Sequence, residues 1–590
     1  MQDESLTPTR KTLEETLTDI FAAAFTAAFP DCPQAADAGR VSASANPEFG
    51  DFQCNGAMAL AKNLKMPPRA VAEKIVEILR APNSQLSTLN SQFSIAGPGF
   101  INITLADGFV AERAEFVARD EFNGIPQSGA GQKIVVDYSS PNVAKPMHIG
   151  HIRSTIIGAA IDKLHRALGY DVLSDNHIGD WGTQFGIIIM GYRNFVDQAA
   201  LADAPATELE RVYVQSYARA KDDDSWMDQC RAELVKLQRG DPENLALWRE
   251  FIRLSLSEFD RVYKRLGIEF AMTRGESFYN EKLPGVVARL EAAGLAKESD
   301  GATIVDLSDE NLGVAIVRKS DGGFNYTTTD IATVDSRVTE FAPAKIVYVT
   351  DERQQLHFKQ FFTICRKVGI APDSVELTHV WFGLMRLPEG TFSTRQGNVI
   401  KLEALLDEAE ARAFAVIKES RPEMPEEQAR PLARQIGIGA VKYADLSQDP
   451  RTLITFSWDK ALALDGNSGP YLQYAYARVR SVRAKYAEQF PSIDPDTFPL
   501  LINEKLEREL ALKIASFPAA VQRAALTFRP CVLADYLYDL AQTYSSFYQQ
   551  LPFLKAEPDI RESRVKLCGM TSAVLSRGLS LLGIETPERI

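Results

Sequence analysis

Cysteine is scarce in this sequence and irregularly spaced. The six cysteines among the 590 residues form no Cys-x-x-Cys pair, and they lie at positions 32, 54, 230, 365, 531 and 568. Structural zinc sites and disulfide scaffolds both depend on closely and regularly spaced cysteines. We therefore expect no zinc and no disulfide framework, and we predict reduced, buried thiols.

Long hydrophobic runs are also missing. No apolar stretch reaches the roughly 18 residues that a membrane-spanning helix needs, and the richest runs, Phe21–Phe29 and Phe185–Tyr192, have the length of a core helix or strand. The N-terminal residues MQDESLTPTRK are polar and lack the apolar stretch of a secretory signal. These absences predict a cytoplasmic protein without a membrane segment.

Positive charge is in deficit. The chain has 65 Lys and Arg against 78 Asp and Glu, a net charge of −13, which argues against a general nucleic-acid coat with a basic surface. A local basic stripe is still compatible with this balance. The segment Tyr471–Tyr486 contains no acid and four basic residues, Arg478, Arg480, Arg483 and Lys485. A solvated helix face is the alternative explanation for them.

The composition that is present is that of a packed protein. Hydrophobic residues make up 45% and charged residues 24%, so the chain is too apolar to be disordered along its length. Its length predicts three or more domains. Helical and strand-like patterns alternate up to about residue 110, before the polar turn Asn123–Gln132. We therefore predict a small N-terminal α+β domain.

A parallel-sheet pattern follows that turn. The strand-like run Lys133–Ser139, a helical stretch and a new strand at Asp171 form a βαβ signature, and Ala344–Thr350 and Thr378–Met385 are further strand candidates. The pattern predicts a doubly wound, Rossmann-like α/β domain, and after about residue 400 it becomes helical. The predicted domains are 1–122, 123–400 with a helical insertion at about 193–300, a helical connector at 401–455, and an all-α domain at 456–590.

The stretch Ser139–Thr155 carries the clearest chemical signal. It joins the end of a predicted strand to the start of a helix, which is where doubly wound sheets bind ligands and where helix N–H groups meet phosphate. His148 and His151 are three residues apart and face the same side, while Gly150 lets a ligand approach the backbone. Such imidazoles can donate hydrogen bonds to a reacting phosphate. A chance tetrapeptide or a metal pair is the alternative.

Several motifs together identify a family resemblance. The string SPNVAKPMHIGHIRSTIIG resembles the class I aminoacyl-tRNA synthetases, whose signature is HIGH, and within them the arginyl-tRNA synthetases. The strings DNHIGDWGTQFG, FNYTTTDIAT, SGPYLQYAYARVRS and LLGIETPERI are similar to the same family and follow in the same order. The resemblance implies that arginine reacts with ATP to give arginyl-adenylate and pyrophosphate. Mg²⁺ accompanies the ATP. The arginyl group then passes to the 3′-terminal adenosine of tRNA(Arg). It also implies a monomer with a helical anticodon-binding domain.

The second signature of the class, KMSKS, is incomplete. Its position corresponds to TFSTRQGN at Thr391–Asn398, where Phe392 replaces Met, Ser393 matches, Arg395 follows and neither lysine is present. The leaving pyrophosphate then needs another cation, and Lys145, just before His148, and Arg395 are the two candidates. A plain polar turn is the alternative for this segment.

Arginine recognition requires carboxylates, because a guanidinium binds best to a planar acceptor. Asp137 ends the first strand, and Tyr326 and Asp330 are four residues apart on a predicted helical turn, where they would form the wall and base of a pocket. A helix-terminal charge is the alternative for Asp330. Arginine contacts are further expected at Asn142, His177 and Gln354, the last also explicable as a solvated polar residue. ATP contacts are expected at Pro141, Ile149, Gly150, the two histidines and Arg395.

The resemblance also implies contacts with tRNA. Tyr474, Arg478 and Arg483 combine aromatic faces with positive charge, which suits anticodon bases and phosphates. Phe100 and Asn102 match positions where the family holds a D-loop base, and strand alternation would put both on one face. The alternatives are tyrosines and a phenylalanine that belong to the core.

Two other functions remain open from the sequence. A cysteine- or glutamate-specific synthetase also contains HIGH, although the cysteine spacing and the Asp137, Tyr326 and Asp330 set favour a cationic amino acid. A non-catalytic RNA-binding paralogue is compatible with the incomplete KMSKS segment but less so with the intact HIGH string.

Overall fold

The N-terminal unit packs helices against an antiparallel sheet. The computed structural model of the protein describes residues 10–81, 91–387, 390–391 and 401–590. Thr12 caps the first helix: its Oγ1 accepts the Glu15 N–H at 3.0 Å, and the Glu15 carboxylate accepts the Thr12 N–H at 2.9 Å. The elements are α1 (Leu13–Ala28), β1 (Val41–Ala43), β2 (Phe52–Cys54), α2 (Gly56–Leu64), α3 (Pro68–Arg80), β3 (Gln92–Ala96), β4 (Phe100–Thr104) and α4 (Asp107–Arg119), with strand order β1–β2–β4–β3.

The central unit begins with the predicted βαβ element. It consists of β5 (Lys133–Asp137), α5 (Ile149–Ala167) and β6 (Asp171–Asn176), and β5 and β6 are parallel. After α6 (Gln184–Phe195) a helical segment leaves the sheet and returns to it at a short strand. This segment comprises α7 (Gln198–Asp203), α8 (Pro205–Asp222), α9 (Asp224–Gln238) and α10 (Pro242–Leu266), and the returning strand is β7 (Met272–Thr273).

The rest of the central unit completes the parallel sheet. A small antiparallel sheet comes first, and two further parallel strands then follow. The elements are α11 (Leu283–Ala292), β8 (Ala296–Ser299), β9 (Ala302–Leu307), β10 (Gly313–Arg318), α12 (Tyr326–Phe341), β11 (Lys345–Asp351), α13 (Gln355–Lys367) and β12 (Glu376–Phe382). The main sheet has the order β12–β11–β5–β6–β7, and each of its pairs is parallel. β7 lies inside the range predicted as an insertion.

The C-terminal part is helical apart from short strands at its start. It comprises β13 (Met385–Leu387), β14 (Gly390–Thr391), α14 (Leu402–Ser420), α15 (Glu426–Leu446), β15 (Ile454–Thr455), α16 (Trp458–Ala461), α17 (Gly469–Gln489), α18 (Lys505–Ala515), α19 (Phe517–Leu526), α20 (Cys531–Gln550) and α21 (Pro558–Leu581). The predicted fold class is confirmed: a small α+β unit, a doubly wound α/β unit and an all-α unit. The exact domain limits stay a prediction.

Ion pairs that are buried or partly buried join the three units. The Arg153 side chain of α5 binds the Asp445 carboxylate of α15, with Nη2 3.0 Å from Oδ1 and both side chains 1% exposed. Arg508 of α18 binds both carboxylate oxygens of Asp51 in the N-terminal unit, at 2.9 and 2.7 Å. Since one partner alone would leave an unpaired charge, these pairs fix how the units meet.

The helices and the cysteines bear on the predictions of no membrane segment and of reduced, buried thiols. In the described part of the chain, no helix combines the length and apolar character needed to cross a bilayer. All six cysteines are unpaired, and all but the half-buried Cys32 are buried.

Candidate active site

The candidate site lies at the carboxyl edge of the parallel sheet. Asp137, Asn176 and Asp351 end the neighbouring strands β5, β6 and β11. The loop after β5 (residues 139–144) and the loop after β6 (residues 176–181) lie side by side, because the Val143 N–H donates to the Gly179 carbonyl at 3.0 Å. This edge is where open α/β sheets bind their ligands.

The two predicted histidines form one hydrogen-bonded turn at the start of α5. His148 is the N-cap, and its Nδ1 accepts the Gly150 N–H at 3.0 Å. Nδ1 of His151 accepts the His148 N–H at 3.0 Å. A neutral imidazole that accepts at Nδ1 carries its proton on Nε2. The rings lie 3.9 Å apart, so the turn presents two neighbouring Nε2–H donors.

Burial keeps both rings neutral. It lowers the pKa of His148, and the nearby Lys145 charge lowers it further. Burial and then the charge of His148 lower the pKa of His151 to about 3. Both rings are therefore hydrogen-bond donors at neutral pH and do not act as cations.

Gly150 is required by the shape of this turn. A Cβ atom at position 150 would lie 2.8 Å from Cε1 and 2.9 Å from Nδ1 of His148. Any side chain there would push the imidazole out of its hydrogen bond with the backbone.

The loop before the histidines has an unusual backbone. Ser139, Ser140 and Ala144 have φ angles of 73°, 50° and 62°, in the left-handed region that disfavours residues with a side chain. Each such residue costs on the order of 1 kcal/mol. Their N–H groups donate respectively to Ser154 Oγ at 2.9 Å, Asn176 Oδ1 at 3.1 Å and Ser255 Oγ at 2.9 Å. Side chains from three other elements therefore hold this loop in place.

Lys145 directly follows the left-handed residue Ala144, and its side chain packs against the helical segment. Its Nζ lies 4.9 Å from the centroid of the Tyr213 ring on α8. The side chain is half-buried and stands three residues before His148. Its charge contributes to the lowered pKa of both His148 and His151, so one cation lies near the histidine turn.

The incomplete KMSKS segment can be followed only at its flanks. Phe392, Ser393 and Arg395 lie outside the described residues. On the C-terminal flank, the Leu402 N–H donates to the Met147 carbonyl at 2.9 Å, and Lys401 forms an isolated bridge with His148. Lys401 and Leu402, where the described chain resumes, therefore lie directly beside the histidine turn.

Tyr326 and Asp330 share one side of α12, as predicted. The Asp330 Oδ2 atom lies 2.5 Å from Nε2 of His357. The Tyr326 ring packs edge-on against the same imidazole at 4.6 Å and is 61% exposed. The aromatic wall and the carboxylate are therefore both anchored by His357, a residue that the sequence analysis did not identify.

Glu276 is a second carboxylate near Asp330 and is not among the residues predicted from the sequence. It begins a 3-10 turn, Glu276–Lys282, directly after β7. Burial, Asp330 and Asp180 raise its pKa to about 8. In the described part of the chain no cation forms an ion pair with it. No motif or spacing signals this residue, because distant segments position it: its N–H donates to the Ile178 carbonyl at 3.2 Å, on the loop after β6.

Asp137 has a different place from the one predicted. Its Oδ2 accepts a 2.6 Å hydrogen bond from Arg337 Nη2, which also binds Asp175 Oδ2 at 2.6 Å, and Arg337 is fully buried. Its Oδ1 accepts the Ser140 hydroxyl at 3.1 Å. The chain's own guanidinium thus occupies this carboxylate beneath the site, which argues against the predicted direct contact with substrate arginine.

The remaining predicted small-molecule contacts surround the same opening. Asn142 and Gln354 are exposed, on loop 139–144 and just before α13 respectively. His177 is half-buried, and its Nδ1 has no hydrogen-bond partner among the described residues. Pro141 and Ile149 are buried, so a contact with ATP would involve their backbone.

The predicted tRNA contacts on α17 differ in whether their charge is already paired within the chain. On α17 and α20 the Arg478 guanidinium lies 4.7 Å from the Tyr474 ring and 5.5 Å from the Tyr548 ring, at the surface. Arg483 instead donates to Asp496 Oδ2 at 2.7 Å and packs over Gly569 of α21. These contacts with its own chain argue against Arg483 as an anticodon contact.

Phe100 and Asn102 differ in the same way. Phe100 is half-buried at the start of β4, where a base could reach it. Asn102 is 4% exposed, and its Oδ1 accepts a 2.8 Å hydrogen bond from the Gln53 amide on β2. The Asn102 amide is therefore used inside the sheet, which argues against a base contact there.

No metal centre is apparent at the site. Among the described residues, no group of three or more His, Cys, Asp or Glu side chains is arranged to hold an ion. The expectation of no zinc stays a prediction.

Family models match three parts of the chain. They are described as "tRNA synthetases class I (R), catalytic domain" at residues 116–458, "DALR anticodon binding domain" at 472–590, and "Arginyl tRNA synthetase N terminal domain" at 11–105. The matches follow the order of the three structural units.

Curated relatives match over nearly the full length. The chain is 43% identical to an arginine–tRNA ligase of Fusobacterium nucleatum subsp. nucleatum, over 96% of this chain and 98% of the relative. It is 44% identical to an arginine–tRNA ligase of Laribacter hongkongensis, over 98% of this chain and 100% of the relative.

Solved structures agree on the fold. The arginyl-tRNA synthetase of Plasmodium falciparum superposes with a TM-score of 0.83 at 27% identity, covering 99% of this chain and 100% of that one. The arginyl-tRNA synthetase of Thermus thermophilus superposes with a TM-score of 0.81 at 23% identity, covering 98% and 100%, a likeness of fold alone.

Proposed function

The chain belongs to the arginyl-tRNA synthetase family and is an arginine–tRNA ligase, and we propose that His148 and His151 stabilise the transition state of its first step. The enzyme activates arginine with ATP to arginyl-adenylate and pyrophosphate, and then transfers the arginyl group to the 3′-terminal adenosine of tRNA(Arg), which releases AMP. The assignment of an arginine-specific synthetase is thereby confirmed. Mg²⁺ would enter with ATP, held by its phosphates as part of the substrate.

The paired imidazoles carry the proposal for the first step. The arginine carboxylate attacks the α-phosphorus of ATP, and negative charge grows on the non-bridging oxygens. Both Nδ1 atoms already accept backbone N–H groups, so both rings offer Nε2–H without reorganising. Fixed donors of this kind stabilise developing charge, and the N-terminus of α5 adds a favourable dipole.

The leaving pyrophosphate needs a cation beside the histidines. Lys145 is our candidate, because its side chain is held against Tyr213 close to His148. Arg395 is the second candidate, because it precedes Leu402 by seven residues and the Leu402 N–H donates to the Met147 carbonyl beside His148. Neither charge takes part in a covalent step, since positioning and charge stabilisation suffice.

We propose that Glu276 and Asp330 bind the substrate guanidinium. Two half-buried carboxylates, of which Glu276 has no ion-pair partner among the described residues and Asp330 contacts only His357, match a planar group with several N–H donors. A lysine ammonium offers one compact charge instead. Tyr326 would form the wall of the pocket. Asn142, His177 and Gln354 remain candidates for the amino and carboxylate groups of arginine.

The tRNA would also be held by the all-α unit. We propose that Tyr474 and Arg478, together with Tyr548, stack on unpaired anticodon bases and contact their phosphates. Phe100 remains a candidate for a D-loop base. The substrates also favour the cytoplasm, where tRNA is charged for translation, and the monomeric state stays a prediction.

Replacement of the two histidines tests the central proposal. His148→Ala and His151→Ala should each lower the rate of arginine-dependent ATP–pyrophosphate exchange about a hundredfold at saturating tRNA, because each removes one fixed donor. The Michaelis constant for arginine should change less than threefold. His165→Asn, at a buried histidine of α5 remote from the turn, is the control. Exchange at the wild-type rate in either alanine variant would reject the proposal.

A further inference from the structure

Helix α10 carries three polar side chains along one side. Trp248, Ser255 and Tyr263 are seven and eight residues apart, about two helical turns in each case, so they line one stripe of the helix. α10 belongs to the helical segment that leaves the parallel sheet, the same segment whose α8 contacts Lys145 through Tyr213. Each of the three side chains is hydrogen-bonded to one of the two loops of the active site.

Ser255 holds the left-handed end of loop 139–144. It is fully buried, and its Oγ accepts the Ala144 N–H at 2.9 Å. Its own hydroxyl proton goes to the Phe251 carbonyl at 2.7 Å. Ala144 directly precedes Lys145, and its φ of 62° is unfavourable for alanine. The hydrogen bond thus stabilises a backbone conformation that would otherwise be weakly populated.

Tyr263 holds the other end of the same loop. Its hydroxyl lies 2.8 Å from Ser139 Oγ and accepts the Asn176 side-chain amide at 3.2 Å. Ser139 is also left-handed, with a φ of 73°. Asn176 in turn accepts the N–H of Ser140. One hydroxyl of α10 therefore joins the ends of β5 and β6 where the two active-site loops begin.

Trp248 contacts the second loop. Its indole N–H donates to the Asp180 carbonyl at 2.8 Å, and the Asp180 carboxylate accepts the Ser277 N–H and hydroxyl at 2.8 and 2.6 Å. Ser277 follows Glu276, so this contact leads to the arginine-binding carboxylates. The stripe therefore extends from the histidine side of the site to the arginine side.

We propose that Ser255 and Tyr263 are positioning residues for adenylate formation, and that α10 braces the strained loop which carries Lys145 and the histidine turn. The inference rests on the proposed roles of Lys145, His148 and His151. Neither residue touches substrate. They act by keeping loop 139–144 in its left-handed conformation, so their loss should lower the turnover number while the affinity for arginine is kept.

The Ser255 experiment uses relief of backbone strain as its readout. Ser255→Ala should lower the turnover number of ATP–pyrophosphate exchange about thirtyfold, with the Michaelis constants for arginine and ATP within about twofold of wild type. Ala144→Gly makes the left-handed conformation readily accessible. In the Ser255→Ala background it should restore at least a third of the wild-type turnover, and alone it should be nearly neutral. A loss that Ala144→Gly does not restore would overturn the positioning role.

The Tyr263 experiment compares two buried hydroxyls. Tyr263→Phe should lower the turnover number about tenfold. Tyr486→Phe is the control, because it removes a buried hydroxyl that donates to Glu562 at 3.1 Å in the all-α unit. Both variants should lower the melting temperature by a similar amount, but Tyr486→Phe should leave the turnover number unchanged. Equal turnover in the two variants would overturn the proposal.

His148→Ala, measured in the same assay, separates this inference from the proposed function. A slow His148→Ala variant together with wild-type turnover in Ser255→Ala and Tyr263→Phe rejects the brace and keeps the histidine mechanism. A fast His148→Ala variant rejects the histidine mechanism itself. The brace is supported only when all three variants are slow and Ala144→Gly restores the Ser255→Ala enzyme.

Discussion

The two ends of the active site are built differently. At the phosphate end, the Nδ1 atoms of His148 and His151 both accept hydrogen bonds, and the N–H groups of loop 139–144 at Ser139, Ser140 and Ala144 are all bonded. At the arginine end, Glu276 has a raised pKa. Several buried polar atoms there also have no partner among the described residues: His177 Nδ1, Tyr279 Oη, Tyr348 Oη and His357 Nδ1.

This difference corresponds to the chemistry that we propose for each end. The phosphate end acts on a transition state, and donors that are already in place need no reorganisation when charge develops. In the proposed function the arginine end recognises a cation, and Glu276, which has no ion-pair partner among the described residues, favours the ligand that supplies the missing charge. We expect substitutions at the first end to change the turnover number, and substitutions at the second to change arginine affinity and its pH dependence.

The largest effect is expected at Lys145. Lys145→Ala should lower the rate of adenylate formation a hundredfold or more, roughly 3 kcal/mol, because the leaving pyrophosphate loses a fixed cation. Lys221→Ala is a matched control, since Lys221 Nζ also lies 4.9 Å from a tyrosine ring on α8, that of Tyr217, but away from the histidine turn. Single-turnover adenylate formation measures both. A Lys145→Ala enzyme within a few-fold of wild type would assign the role to Arg395.

Glu276→Gln should act at the other end. The neutral isostere keeps the shape but removes a charge partner of the guanidinium, so the arginine Michaelis constant should rise about 30- to 100-fold, or 2–3 kcal/mol. The turnover number and the ATP Michaelis constant should change less than threefold. Asp330→Asn should behave alike, and Glu281→Gln, at an exposed position of the same 3-10 turn, should be neutral. Equal damage to ATP and arginine binding would instead make these carboxylates structural.

Gly150→Ala tests whether the histidine turn is as rigid as its contacts imply. Alanine is a better helix former than glycine by about 1 kcal/mol, so the variant should gain or keep stability. The new Cβ would nevertheless crowd the His148 ring at 2.8 Å, and exchange should slow about tenfold. Gly108→Ala in α4, where a Cβ meets nothing within 4 Å, should change neither rate nor mechanism. A fully active Gly150→Ala enzyme would mean that the ring can move without loss.

The phosphate end was largely predictable from sequence, because its parts are local. Strand, loop, His148, Gly150, His151 and helix follow one another within the βαβ unit, so the motif alone predicted the shared face. The arginine end depends on contacts between distant segments. Glu276 is held by the hydrogen bond from its N–H to the Ile178 carbonyl, and Asp137 is paired by Arg337, 200 residues further along the chain. Neither relationship leaves a spacing pattern.

The helix α17 shows an intermediate case. Arg478 and Arg483 are both predicted as tRNA contacts from sequence because both are basic. Five residues turn the helix by about 140°, however, so the two side chains lie on different sides. Arg478 stacks on exposed tyrosines, whereas Arg483 binds Asp496. Periodicity could have separated the two, but it could not have told which side faces solvent, because that depends on how α20 and α21 pack.

The smallest expected effect is a proton count, and it tests the comparison directly. With a pKa of about 8 in the free enzyme, the Glu276 carboxyl is mostly protonated at pH 7. A bound guanidinium favours the ionised form, so arginine binding should release about 0.9 proton per site at pH 7 and less above pH 8. The association constant for arginine should therefore rise with pH between about 6 and 8 and then level off.

Calorimetric titration with arginine in buffers of different ionisation enthalpy measures this release. The binding enthalpy should depend on the buffer for the wild-type enzyme and lose that dependence in Glu276→Gln. Titration with a non-hydrolysable ATP analogue is the counterpart at the phosphate end. The pKa of His151, about 3, keeps its ring neutral before ATP binds. A neutral ring that donates from Nε2 needs no added proton. We therefore expect His151 to contribute no proton uptake or release when the analogue binds. A buffer-independent arginine enthalpy in the wild type would mean that Glu276 is already ionised, and the arginine end would then be as preorganised as the phosphate end.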